Sequence, residues 1–76
     1  MSELNIMIPN REAVGDFVAL TSKLPYEMDL VQGSKIVDAK SVLGIIYMGL
    51  GKVLNLKVRT ENLADARVSL KDYIVE

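Results

Sequence analysis

Within 76 residues, the spacing of apolar side chains switches repeatedly between two residues and three to four, and each switch marks a boundary between a strand and a helix. Leu4, Ile6 and Ile8 alternate with Glu3, Asn5 and Met7, which predicts a half-buried strand over 3–8. Pro9 ends the pairing, and Asn10 offers a helix N-cap. From Arg11 to Lys23 the spacing is helical, through Ala13, Val14, Phe17, Val18, Leu20 and Thr21. Glu12 in the first turn and Lys23 at the end suit the helix dipole. Gly15 inside this helix costs about 1 kcal/mol against alanine and is expected to mark close packing.

Alternation resumes after Pro25, with Tyr26, Met28 and Leu30 opposite Glu27 and Asp29. Gln32-Gly33-Ser34 predicts a hairpin turn and Lys35 to Val37 its short return strand. Ser41 stands where it can cap a short apolar helix from Val42 to Tyr47 or Met48, and Gly49 and Gly51 punctuate the exit. Leu54, Leu56 and Val58 then alternate with Asn55, Lys57 and Arg59. Asn62 is expected to cap a last helix, with Asp65 completing a partial capping box. Leu63, Ala66, Leu70, Tyr73 and Ile74 would form its buried stripe.

The order is β-α-β-β-α-β-α, and most of the strands carry one polar face. Such strands make an antiparallel sheet with one side in water. The expected architecture is therefore an α/β (α+β) open-faced sandwich, with a four-stranded antiparallel sheet and three helices on one face. The chain is short enough to be a single domain, 1–76. Half of it is hydrophobic, which suffices for a small core, and with few aromatics that core must be aliphatic.

Absences remove whole classes of function. Without cysteine there is no disulfide, thiolate nucleophile or zinc ribbon, and without histidine the commonest neutral-pH acid–base group and metal ligand are gone. A net charge of -1 with no dense Lys/Arg stripe leaves little electrostatic footprint for nucleic acid. The N-terminal Met1-Ser2-Glu3-Leu4 shows no signal-peptide pattern. The longest apolar stretch, Val42 to Leu50, is interrupted by Gly44 and Gly49 and is too short to span a bilayer. A cytoplasmic protein without cofactor or metal is expected. Glu27 and Asp29 read as a wet strand face, and no acid pair suggests acid–base work, so no enzyme is expected.

Residues 33–49, GSKIVDAKSVLGIIYMG, carry a more specific pattern. The run Ala39-Lys40-Ser41-Val42-Leu43-Gly44, followed by Met48-Gly49, resembles the signature around the regulatory serine of the HPr phosphocarrier family of the sugar phosphotransferase system. The upstream segment from Thr21 to Leu30 aligns without a gap. In that family the first helix opens on a Gly-hydrophobic-His-Ala-Arg-Pro motif, whose His carries the phosphoryl group and whose Arg helps to hold it. Counting back from Ser22-Lys23 puts Asn10 at the His position and Glu12 at the Arg position.

The resemblance implies an HPr fold without the phosphocarrier's acceptor. It implies a serine, Ser41, open to a regulatory kinase, beside a hydrophobic docking patch made of Lys40, Val42, Leu43, Ile46 and Tyr47. Ser41 is also a plain N-cap, and Leu43 and Ile46 stand equally well as core or as interface. The partners implied are proteins: a serine kinase or phosphatase and a transcriptional regulator acting in catabolite regulation. Two alternatives stay open, a phosphotransfer component using another acceptor and a divergent binding domain unrelated to sugar transport.

Overall fold

The computed structural model describes residues 2–75. Its elements are β1 (Ser2–Met7), α1 (Arg11–Ser22), β2 (Met28–Gln32), β3 (Lys35–Asp38), α2 (Val42–Met48), β4 (Val53–Val58) and α3 (Ala64–Ser69). The strands form one antiparallel sheet in the order β1-β4-β2-β3, the open-faced sandwich that the alternation predicts.

Register follows from which side chains can be wetted. Leu4, Leu56, Leu30 and Val37 pair in one row across all four strands, on the helix side. Leu4, Ile6, Ile8, Met28, Leu30, Leu54, Leu56 and Val58 are buried with Val14, Phe17, Ile45, Met48 and Ala66 from the helices and Leu70 from the cap of α3. The adjacent residues face outward in rows of their own: Glu3, Lys57, Asp29 and Asp38 form one, and Asn5, Asn55, Val31 and Ile36 the next. A slip of one residue in any strand would exchange these sets and bury carboxylates. Gly33, at φ +59°, opens the turn between β2 and β3, in the left-handed conformation that a two-residue hairpin needs at its first position.

Four expectations are corrected. β2 begins at Met28, so Tyr26 lies in the bend before it. Asn62 is not the α3 cap: that position is Leu63, which makes no side-chain cap bond, and Asn62 Oδ1 instead takes the N–H of Ala64 at 2.9 Å. The capping box with Asp65 does not form. Nor does the last helix reach Ile74, since α3 ends at Ser69 and the chain turns back along β1. There Ile74 bridges Ile6, Met7 N–H donates to the Tyr73 carbonyl and Val75 N–H to the Asn5 carbonyl, both at 2.8 Å. Tyr73 anchors this return with its ring edge-on to Phe17, 5.1 Å between centroids.

The fourth correction concerns Gly15. It is exposed on α1, and a Cβ there would meet nothing within 4 Å. With no packing reason for glycine, Gly15→Ala should stabilise the protein by about 0.5–1 kcal/mol through the lower entropy of the unfolded chain. A urea titration with unchanged slope and a higher midpoint is the expected result.

Two tyrosines couple stability to alkaline pH. Burial pushes the Tyr26 phenol above its ordinary pKa of 10.0, assisted by the charge of Asp65. Tyr73 is raised by burial first and then by Asp16 and Asp72. The folded state therefore holds both protons more tightly than the unfolded chain does. That stability is intact below pH 10.0 and is lost as pH rises through the folded values. The double variant Tyr26→Phe, Tyr73→Phe should lose less stability than the wild type as pH is raised above 10.0 in denaturant titrations. Tyr26→Phe alone should cost little at neutral pH, because its buried hydroxyl has no hydrogen-bond partner to lose.

Candidate functional site

The site is built around two helix caps. Asn10, in extended backbone, accepts the N–H of Ala13 on Oδ1 at 3.0 Å and opens α1. Glu12 follows in the first turn, exposed like Asn10 and Arg11. Ser41, also extended, accepts the N–H of Gly44 on Oγ at 3.1 Å and opens α2. Its own N–H donates to the Asp38 carbonyl, and its carbonyl accepts from Ile45, so the whole residue is fixed.

The loop before Ser41 is tied to the C-terminal end of α1. Thr21, buried among apolar neighbours, donates its hydroxyl toward the Ala39 carbonyl at 3.0 Å and the Val18 carbonyl at 3.2 Å. Lys40 sends its ammonium to the Leu24 carbonyl at 2.9 Å, and its N–H donates to Asp38 Oδ1. The Lys40 charge is therefore engaged at the end of α1. At the other end of α2, the Gly51 N–H donates to the Ile8 carbonyl at 2.8 Å, just before Asn10. So α2 runs back along α1, from its C-terminal end to its N-terminal end. The helix is seven residues, or about 10 Å, long, and it separates the Ser41 cap from the region of the Asn10 cap.

Gly44 is where α2 meets β3. A Cβ at this position would lie 3.1 Å from the Val37 Cβ and 3.4 Å from Ser41, so a larger residue would push the helix off the strand. Pressed down there, α2 buries only Ile45 and Met48. The rest of its apolar surface is outside: Val42 is 43%, Leu43 79%, Ile46 39% and Tyr47 63% exposed. Leu43 and Ile46, which stood equally as core or interface, are both on the surface. Tyr47 lies on the β3 side, with the Lys35 ammonium 5.0 Å from its ring centroid.

Among the described residues no cluster of His, Cys, Asp or Glu side chains could hold a metal ion. Glu27 pairs with Arg59 at 3.3 Å on the exposed surface, an ion pair of little energetic weight. A cleft of about 220 Å³ beside β1, lined by Glu3, Asn5, Arg67 and Val75 among others, brings together a single carboxylate and a single guanidinium. No helix among the described residues is long and apolar enough to cross a membrane.

The fold is that of the HPr phosphocarriers. The structure is similar to the crystal structure of HPr-C-His from Thermoanaerobacter tengcongensis, with a TM-score of 0.76 and 29% identity over 95% of this chain and 89% of that one. It is similar in fold to a Mycoplasma histidine-containing phosphocarrier protein, with a TM-score of 0.68 and 14% identity over 93% of each chain. No family model matches the sequence, and no curated protein matches it either.

Sequence reading missed Thr21 and the true partner of Lys40. Thr21 falls at helical spacing within an apolar stripe, where its methyl group hides the role of its hydroxyl. Thr21→Val keeps the shape but strips the buried Ala39 carbonyl of its donor, at an expected cost of about 1–3 kcal/mol. Denaturant titration gives the cost. Amide exchange at Gly44 and Ile45 should quicken with it, because the loop that presents Ser41 loses its tether.

Proposed function

We propose that this protein is an HPr-related regulatory or interaction protein that carries no phosphohistidine, binds protein partners through α2 and is switched by phosphorylation of Ser41. The observation that carries the reading is a sequence with no histidine, in which the residue that caps α1 is Asn10; counted back from Ser22-Lys23, Asn10 falls at the position of the family's histidine. The amide nitrogen of asparagine has its lone pair delocalised into the carbonyl and is no phosphoryl acceptor. Glu12, where the family has its arginine, places a negative charge where a phosphate would need a cation. Both changes argue against a carrier.

What remains is a surface. Val42, Leu43, Ile46 and Tyr47 form an exposed apolar patch on one short helix, which supports docking by proteins. Lys40 serves it by holding the loop to α1. Ser41 lies at the rim of the patch, half-buried. A phosphate on it adds a charge of about -1.5 to -2 beside apolar side chains, enough to change which partner the patch accepts. A serine kinase or phosphatase and a transcriptional regulator of catabolite control, in the cytoplasm, are the partners this reading names.

Two labelling reactions test it. With phosphoenolpyruvate and enzyme I the protein should take no label, and Asn10→His should take little. Asn10→His with Glu12→Arg should label about tenfold faster than Asn10→His alone, since reversing one nearby charge is worth on the order of 1 kcal/mol. With an HPr-type serine kinase and ATP the protein should gain one phosphate, lost in Ser41→Ala. Label on the wild type in the first reaction would overturn the loss of carrier function. No phosphate in the second, or phosphate at Ser22, Ser34 or Ser69, would remove the switch.

A further inference from the structure

We propose that a phosphate on Ser41 draws the Lys40 ammonium away from the Leu24 carbonyl, so that a mark at the start of α2 is also read at the end of α1. The inference rests on the switch proposed above and gives it a mechanism inside the molecule.

Two hydrogen bonds of different kinds tie the end of α1 to the loop before Ser41. The Thr21 hydroxyl donates to the Ala39 carbonyl at 3.0 Å, and that bond is buried. The Lys40 ammonium donates to the Leu24 carbonyl at 2.9 Å, and that bond is only partly buried. Leu24 itself is buried, and its N–H closes the turn after α1 on the Thr21 carbonyl at 3.1 Å. Without the Lys40 bond this turn is held to the loop by Thr21 alone.

The Lys40 bond is the one that a new charge can break. The one ion pair among the described residues joins Glu27 to Arg59, so Lys40 faces no carboxylate. The Asp38 carboxylate accepts the backbone N–H of Lys40 at 2.8 Å instead. An ammonium on a carbonyl carries full charge on one side of the bond only. On a phosphate oxygen both sides are charged, and ion–ion attraction adds to the hydrogen bond. Asp38 and a phosphate on Ser41 would set like charges in one short loop, which favours bringing in the nearest cation. That cation is Lys40.

Reach is not an obstacle. Lys40 and Ser41 are consecutive, with Cα atoms about 3.8 Å apart, and the flexible lysine stem lets the ammonium swing while the backbone stays in place. The backbone is pinned by Asp38, which accepts the N–H groups of both residues. One phosphate oxygen keeps the Gly44 N–H, and the others are left for Lys40. Once Lys40 has moved, the turn after α1 loosens, and the exposed Ser22 and Lys23 change their surroundings. A partner that touches α1 then distinguishes the two forms without touching Ser41.

Phosphoserine placed at position 41 during translation, by an expanded genetic code, tests this without a kinase. Amide exchange at Leu24, measured relative to Leu56 in the central strand β4, should quicken about tenfold in the phosphoprotein, as for the loss of one hydrogen bond to a charged group. Lys40→Met should show the same acceleration without phosphate and gain no more from it. In the wild-type chain with 15N-labelled lysines, the Lys40 Nζ resonance should move on phosphorylation while those of Lys35 and Lys52 hold still, a measurement that needs no variant. An unchanged Leu24 amide with a stationary Lys40 Nζ overturns the proposal. So does a further acceleration by phosphate in Lys40→Met, which would make the loosening a general effect of charge. Because the phosphate is supplied directly, these outcomes judge the change of partner separately from whether a kinase acts on Ser41.

Discussion

The row Leu4–Leu56–Leu30–Val37 is the constraint on which the rest of the molecule depends. β4 stands between β1 and β2, so its register is read twice, once on each side. With Leu56 fixed between Leu4 and Leu30, Leu54 falls opposite Ile6, and Val58 opposite both Ser2 and Met28. Each buried leucine or isoleucine contributes roughly 1.5–3 kcal/mol, and a register slip would forfeit most of that in every strand at once. The helices have no such internal check. They are placed by what the sheet leaves uncovered, which is why Phe17, Ile45 and Leu70 converge on it from three different elements.

This difference explains what could be read in the sequence. Strand residues declare their face by alternation, so the inward set Leu4, Ile6, Ile8, Leu54, Leu56 and Val58 was legible residue by residue. So was the Ser41 cap, because a serine directly before an apolar run has one obvious local use. The end of the chain was not legible. Leu70, Tyr73 and Ile74 recur at helical spacing, but their burial is satisfied by a turn and a bridge to Ile6, which periodicity cannot tell from a helix. Asn62 misled for a related reason, since an Asx turn onto Ala64 and a cap use the same carbonyl oxygen and differ by one residue in register.

The candidate site was legible in its members and illegible in its supports. Thr21, Leu24 and Ala39 are tied across sequence separations that no local pattern encodes. Lys40 shows the consequence. Beside Ser41 in sequence it suggests a phosphate-binding charge, whereas in space its ammonium closes the end of α1. The charge near Ser41 is thus spent on architecture. In the proposed reading, partner contacts there come chiefly from the apolar side chains of α2.

That helix is itself a compromise. At seven residues it is too short to be stable alone, and it buries only Ile45 and Met48 while exposing Val42, Leu43, Ile46 and Tyr47. A helix optimised for stability would bury more, and Gly44 would be a better helix former if Val37 were not pressed against it. The deficit is offset from outside the helix: by the Ser41 cap, by Thr21 and Lys40 holding the loop before it, and by the Gly51 bond to Ile8 behind it. Stability supplied at the ends leaves the middle free to be apolar and exposed. The same arrangement makes Ser41 Oγ the most sensitive atom of the site, because it anchors the helix and is also the atom a kinase would modify. A phosphate there has to keep accepting the Gly44 N–H through one of its own oxygens, or the patch loses its order together with its charge balance.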